Sequence, residues 1–180
     1  MSLNFKQNYF ELFSLPTQFP LDKSLLARNF RALQHQYHPD RFASGSNQER
    51  RVAIQTTGYI NEANETLKSP RLRARYLLEL RGVDFDLCDT TYDMQFLMQQ
   101  MEMREALEKA AQSNDPLSAI DSINRQIKQD FQILENDFQH YLETDNLVEA
   151  KDAALKMRFY ERLNEEVKRL EEKLEDEMFA

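Results

Sequence analysis

The tripeptide His38-Pro39-Asp40 combines an imidazole and a carboxylate on either side of a proline. Proline donates no backbone hydrogen bond and pushes the residue before it out of the helical region, so a helix that reaches His38 must end there. In the resulting turn, Asp40 can accept hydrogen bonds from backbone N–H groups or hold its carboxylate toward a cationic partner. We therefore expect a rigid turn that acts as an interaction tip.

The residues before this turn show an amphipathic pattern with helical spacing. One side is apolar and consists of Leu26, Phe30, Leu33 and Tyr37. The opposite side carries Arg28, Arg31 and His35, and Arg41 follows the turn. At 3.6 residues per turn the two sets fall on opposite faces of one helix. We predict a helix that starts after Asp22, a suitable N-cap, and ends near His38, with an apolar back and a basic front.

This arrangement resembles helix II and the following loop of a J-domain. The resemblance implies that the tripeptide and the basic face dock on the ATPase domain of a heat-shock protein 70 class chaperone. One alternative is a solvated helix end in which Asp40 only caps the turn, because short motifs also arise by chance. Another is an enzyme that uses His38 and Asp40 as an acid/base pair. The sequence has no nucleophile motif and no Gly-rich phosphate loop, so we do not expect an enzyme.

The composition favours helices and two differently charged halves. Only three glycines and five prolines interrupt the 180 residues, which leaves long stretches for helices. Residues 1–83 contain 12 Lys+Arg and 7 Asp+Glu, a net charge of +5, whereas residues 84–180 contain 11 and 24, a net charge of −13. The acidic half argues against nucleic-acid binding, which needs cations against phosphate. Two surfaces with different partners are expected.

Cys88 is the only cysteine, which excludes a disulfide within the chain and a paired-cysteine zinc site and fits a reducing compartment. No stretch approaches the roughly 20 apolar residues that span a bilayer. The first residues, Met1 to Lys6, have neither a secretory nor a transit-peptide composition. We expect a soluble, intracellular protein with no membrane contact, no metal site and no cofactor.

The breakers and the charge pattern divide the chain into two all-α domains. Residues 1–83 are predicted to form the first domain, residues 84–92 an acidic linker, and residues 93–180 the second domain. In the second domain the short connections between helices predict an elongated, antiparallel three-helix bundle. The predicted helices of the whole chain are 9–13, 22–38, 49–68, 71–81, 93–112, 117–143 and 147–178. In the fourth of these, Arg71, Arg73 and Arg75 are expected to be solvated charges.

The first helix of the predicted bundle has two apolar faces, although the core of a three-helix bundle requires only one. Phe96, Met103 and Leu107 lie on one side, as a three-helix core requires. A second apolar set lies about a third of a turn or more away and consists of Met94, Leu97, Met98 and Met101. Methionine-rich apolar surface ringed by charge suits a docking patch, because flexible thioethers adapt to a partner's shape. Packing of this set on the other helices or on the first domain is an equal alternative.

Several stretches together resemble the HscB family of iron-sulfur cluster co-chaperones. They are Tyr9 to Phe13, Arg41 to Gly45, Ile60 to Ala63, Arg73 to Leu78, Phe96 to Met98, and Met103 to Glu105. The resemblance covers nearly the whole chain and implies a J-domain followed by a client-binding bundle. It also implies two protein partners, the chaperone HscA and the iron-sulfur scaffold protein IscU. Eukaryotic relatives carry a paired-cysteine zinc module that is missing here, so a bacterial, cytoplasmic type is expected.

The resemblance also assigns residues to each partner. The residues expected to bind the chaperone are His38, Pro39, Asp40, Arg28, Arg31 and Arg41. The residues expected to bind the client are Leu97, Met98, Met101, Glu102, Arg104, Glu105 and Phe159. Met101 and Met103 stand where leucines are expected, an exchange that keeps volume and apolarity. The alternative to this function is a generic J-domain adaptor whose acidic bundle mediates oligomerisation or binds another client.

Overall fold

The computed structural model describes residues 5–42, 45–86 and 88–179. All regular structure in these three ranges is helical, as predicted. The helices are α1 (Tyr9–Leu12), α2 (Lys23–Tyr37), α3 (Asn47–Lys68), α4 (Pro70–Leu80), α5 (Met94–Ala111), α6 (Pro116–Glu143) and α7 (Leu147–Phe179), with a 3-10 turn at Pro39–Phe42. The longer helices, including α2, begin and end within two residues of their predicted bounds. Some residues of the predicted segments lie outside the described ranges, namely Met1 to Asn4, Ala43, Ser44 and Leu87.

Side-chain caps explain where most of these helices begin. Asp22 Oδ1 accepts a hydrogen bond from Leu25 N at 2.9 Å at the start of α2, as predicted. Ser69 caps α4, whose first residue is Pro70, and Asp115 with Pro116 begins α6 in the same way. Proline suits this position because its missing N–H would have no partner there. The local sequence therefore sets the helix starts before any tertiary contact is considered.

The chain divides into two compact units, residues 1–82 and residues 83–180. In the first unit, α2 and α3 form a hairpin that packs with α1 and α4. Ala53 and Ala63 are buried on α3 and permit the close approach of its neighbours. The other buried apolar residues of this core include Phe10, Phe13, Leu26, Ile60, Leu67, Ala74, Leu77 and Leu78.

The prediction that Arg73 is a solvated charge is wrong. Its side chain is buried, and its guanidinium donates from Nε to the Phe19 carbonyl at 2.8 Å and from Nη1 to the Leu67 carbonyl at 2.7 Å. The guanidinium also lies 4.7 Å from the centre of the Phe19 ring. Arg73 is buried because it satisfies carbonyls of the proline-bounded loop and of the last turn of α3, which would otherwise lack donors. Arg75 is exposed and pairs with Glu79 at 2.7 Å.

The second unit is a bundle of α5, α6 and α7, in which α6 packs along both other helices. Its core is apolar and includes Phe96, Leu107, Ile120, Ile127, Phe138, Met157, Tyr160, Leu163 and Val167. Connections of a few residues between successive helices make neighbours antiparallel. This is the predicted three-helix bundle.

The described part of the segment predicted as an acidic linker, residues 84–92, lies in the second unit and contacts α7. Lys151 Nζ donates to the Asp84 carbonyl at 2.8 Å and pairs with Asp89 at 2.8 Å. The same ammonium lies 5.1 Å from the centre of the Phe85 ring, and Thr91 is buried. The acidic residues here compensate the charge of Lys151, so the described part of this segment is held against α7.

Candidate functional site

The His38-Pro39-Asp40 turn projects from the end of α2 into solvent. His38 has extended backbone angles (φ −57°, ψ 130°), as a residue before proline prefers. Its Nδ1 accepts a hydrogen bond from Asp40 N at 3.3 Å and lies 3.6 Å from the Asp40 carboxylate. The side chains of His38 and Asp40 are 55% and 90% exposed. The carboxylate is therefore presented outward from a turn that its neighbouring imidazole helps to fix.

Two further contacts brace this turn. Arg41 Nη1 donates to the His35 carbonyl at 3.2 Å, and Thr57 Oγ1 of α3 donates to the Tyr37 carbonyl at 3.0 Å. Both bonds satisfy carbonyls in the last turn of α2, which have no partner within the helix. Arg41, expected as a contact for the chaperone, thus also has a structural role. Thr57 has no sequence signal, because its partner lies on another helix.

The basic face of α2 leads along the helix to this turn. Arg28, Arg31, His35 and His38 follow one another at intervals of three or four residues, and all are exposed. Such intervals place side chains on one face of a helix. At a rise of about 1.5 Å per residue, Arg31 lies about 10 Å and Arg28 about 15 Å along the axis from His38. The predicted cations and the anionic turn therefore form one continuous surface.

The second predicted surface is the outer side of α5. Met94, Met98 and Met101 are 69%, 58% and 63% exposed, and their spacing of four and three residues puts them on one face. Glu102 and Glu105 are exposed beside them. We call the surface formed by Met94, Met98 and Met101 the methionine face. Of the residues expected to bind a client, the structure exposes Met98, Met101 and the two glutamates.

The remaining predicted client residues lie along the contact between α5 and α7. Leu97 and Phe159 are half-buried and pack against the bundle core. The Phe159 ring meets the Phe96 ring edge-on at 5.5 Å. Arg104 is half-buried and lies 3.7 Å from Glu166 of α7. These three side chains border the methionine face and also hold the two helices together.

A network of ion pairs, which the sequence did not reveal, connects the start of α5 to α7 and so fixes the helix that carries the methionine face. Lys156 Nζ lies 2.8 Å from carboxylate oxygens of both Asp93 and Asp152. Asp93 is also the N-cap of α5, accepting from Phe96 N at 3.1 Å. The hydrogen bond from Lys156 lowers the pKa of Asp93. Burial alone would lower the pKa of Lys156, but the hydrogen bonds to both carboxylates raise it.

In the three described ranges, no cluster of three or more His, Cys, Asp and Glu side chains could hold a metal ion. Every helix within the same ranges is too short or too polar to span a bilayer.

Comparison with known proteins identifies the family. Residues 92–168 match a family model described as the HSCB C-terminal oligomerisation domain. A co-chaperone protein HscB homolog of Aliivibrio fischeri is 44% identical over 168 residues, which cover 93% of this chain and 98% of the relative. The chain belongs to the HscB family. A homolog of the same description from Photobacterium profundum is 42% identical over 166 residues, covering 92% of this chain and 97% of the relative.

Solved HscB structures share the fold. Chaperone HscB from Vibrio cholerae matches with a TM-score of 0.86 and 41% identity, covering 93% of this chain and 99% of that one. The human co-chaperone protein HscB matches with a TM-score of 0.83 and 29% identity, covering 93% of this chain and 84% of that one. The predicted all-α fold, a J-domain followed by a helical bundle, is thereby confirmed for this HscB family member.

Proposed function

We propose that this chain stimulates the ATPase of a heat-shock protein 70 class chaperone, HscA, and delivers the iron-sulfur scaffold protein IscU to it during cluster maturation in the bacterial cytoplasm. The family is one of co-chaperones and includes bacterial relatives over nearly the full chain. The observation that carries the proposal is the Asp40 carboxylate, 90% exposed on a braced turn at the end of a basic helix face.

The exposed surface of the first unit suits docking on a chaperone that offers both charges. Asp40 can pair with a cation, while Arg28 and Arg31 can pair with carboxylates along the same line. Pairing fixes the register of the helix on its partner. Binding stimulates the chaperone if the docked helix favours the hydrolysis-competent state over the alternative, since a ligand shifts an equilibrium only through such a difference.

The methionine face supplies the place for the client. Three exposed methionines offer adaptable apolar contact, and the flanking Glu102 and Glu105 limit which partners can approach. The tip and the methionine face belong to different compact units. Each partner can therefore bind to a different surface, and each surface can be tested alone.

The proposal is tested by Asp40→Asn, which removes the charge with little change in volume. We expect stimulation of purified HscA ATPase to fall at least tenfold, with IscU binding and helicity unchanged. Asp22→Asn is the matched control, because it removes an exposed carboxylate from the other end of α2 and asparagine is an equally good N-cap. Full stimulation by the Asp40 variant, or equal loss in the control, would refute the assignment of the tip.

A second candidate function is self-association through the bundle. The family model that matches residues 92–168 is described as an oligomerisation domain. In this alternative, the methionine face of one copy would contact another copy instead of a client.

A further inference from the structure

One side of α3 lies beside the His38-Pro39-Asp40 turn. Two hydrogen bonds set how α2 and α3 pair in their hairpin. Thr57 Oγ1 donates to the Tyr37 carbonyl at 3.0 Å, and Gln34 Nε2 donates to Asn61 Oδ1 at 3.2 Å. Residue numbers thus decrease along α3 as they increase along α2, so the residues of α3 just before Thr57 lie beside the turn. The 3-10 turn that contains Asp40 contacts α3, as this pairing requires.

Ile54 is an apolar side chain exposed next to this turn. It precedes Thr57 by three residues, or about one helical turn. It is 62% exposed, the highest value among the large apolar residues of the first unit that the structure describes. Interfaces combine polar contacts with apolar side chains that lose water on binding. His38 and Asp40 offer polar contacts, and Ile54 offers an apolar contact beside them.

Gly58 lies one turn further along the same side of α3, in the interior of a 22-residue helix. Glycine is the least favourable residue in a helix interior apart from proline. Its backbone is not left-handed, and a Cβ atom there would meet no described atom within 4 Å beyond its chain neighbours and its own helix backbone. The fold therefore does not require glycine here. Glycine also lets another chain approach closely, so a partner that packs on this side of α3 would account for it.

The charges at this end of α3 continue the basic face of α2. Arg50 and Arg51 are exposed three and four residues before Ile54, which places all three on one side of the helix. Glu49, beside them, accepts the hydrogen bonds of the Ser46 cap. A partner with carboxylates for the basic face of α2 meets charge of the same sign on α3. The two helices therefore suit one continuous acidic surface on a single partner.

We propose that the chaperone bound through the tip also packs against α3, with an apolar side chain on Ile54 and its backbone close to Gly58. The inference rests on the function proposed above, because it extends the docking surface for the same partner. It assigns a second helix of the first unit to that surface. It also adds an apolar contact to a set of residues that is otherwise mainly polar and basic.

Gly58→Gln tests the close approach, because its effects on folding and on docking have opposite signs. Glutamine is a much better helix former than glycine, so the thermal midpoint should rise. Its side chain would occupy the space of the partner, so the concentration of the chain that half-maximally stimulates purified HscA ATPase should increase at least fivefold. Ser122→Gln, which adds bulk at an exposed helix position of the second unit, should change this concentration less than twofold.

Two outcomes of this experiment would overturn the proposal. A raised thermal midpoint with an unchanged half-maximal concentration would show that the chaperone does not approach Gly58. A lowered midpoint would show that the fold itself requires glycine at this position.

Ile54→Ala tests the apolar contact. Alanine favours the helix, so the thermal midpoint should not fall, while the half-maximal concentration should increase at least threefold. Val52→Ala is the matched control, because Val52 is 47% exposed on nearly the opposite side of α3, and it should change that concentration less than 1.5-fold. Equal effects of the two changes would overturn the proposal.

Asp40→Asn, measured in the same assay, shows which proposal fails. Loss of stimulation in Asp40→Asn together with unchanged docking of the Gly58 and Ile54 variants would reject the contact with α3 alone. Full stimulation by Asp40→Asn would reject the tip itself, and with it the extended surface.

Discussion

Arg73 shows how a single buried cation can hold a loop to a helix end. Its guanidinium donates buried hydrogen bonds to the carbonyls of Phe19 and Leu67. Arg73→Leu should therefore lower the free energy of unfolding by about 3 kcal/mol, because it leaves both acceptors unsatisfied. Arg75→Leu, the control two residues away, removes an exposed ion pair with Glu79 and should cost less than about 1 kcal/mol. Urea denaturation of both variants measures the difference, and similar losses would contradict the structural role of Arg73.

The tyrosines of the first unit predict a sensitivity to high pH. Burial raises the pKa of Tyr9, Tyr59 and Tyr76, and for Tyr9 the nearby Glu62 carboxylate adds to the effect. A raised pKa in the folded state contributes stability that is fully present below the ordinary tyrosine value of about 10 and is lost as the pH rises above it. The free energy of unfolding should therefore decrease above about pH 10. Tyr9→Phe should make this decrease shallower, whereas Tyr92→Phe, which changes an exposed ring, should not.

At the scale of elements, the sequence predicts what local chemistry determines. The cap at Asp22 and the apolar periodicity place the long helices correctly, because these signals act within a few residues along the chain. The burial of Arg73 is missed because its acceptor in Phe19 lies 54 residues away. The contact between the described part of residues 84–92 and α7 is missed for the same reason, since Lys151 donates to the carbonyl of Asp84, 67 residues away.

The proposed client surface on α5 is predicted only in part from periodicity. Met98 and Met101 lie far enough from the core-facing Phe96 and Leu107 to be exposed. Leu97 lies at the boundary between the two faces, where helical spacing alone cannot distinguish contact with α7 from contact with solvent. Arg104 has a partner on α7 that no local pattern reveals. The roles of these side chains in client binding stay predictions, and their exposure determines which of them can be tested cleanly.

Substitution of the exposed methionines tests their proposed role in client binding. Met98→Ala with Met101→Ala should weaken IscU affinity at least tenfold, because truncation removes apolar contact at the centre of the proposed interface. The thermal midpoint should stay within about 2 °C, since neither side chain packs in the core. Val148→Ala, at an apolar position of α7 that is 78% exposed, is the control for loss of surface apolarity. Calorimetric titration with IscU measures the affinities, and unchanged binding in the double variant would exclude the methionine face as the client site.

At the scale of the whole molecule, the charge is divided between the two compact units. Residues 1–82 carry a net charge of +5, from 12 Lys+Arg and 7 Asp+Glu, and residues 83–180 a net charge of −13, from 11 and 24. The basic unit carries the tip, and the acidic unit carries the methionine face. Opposite fields of this kind favour different partners for the two units. They also discourage one unit from binding a second copy of itself.

Sedimentation of the full chain therefore separates client binding from self-association. We expect a monomer at micromolar concentration, because three exposed methionines supply little of the roughly 1,200 Å² that a stable interface buries. In a two-fold dimer through the methionine face, Glu102 and Glu105 of each copy would also repel their counterparts. A concentration-dependent dimer that Met98→Glu with Met101→Glu dissociates would instead support the oligomerisation role. A dimer unaffected by that change would place self-association elsewhere and leave the methionine face free for a client.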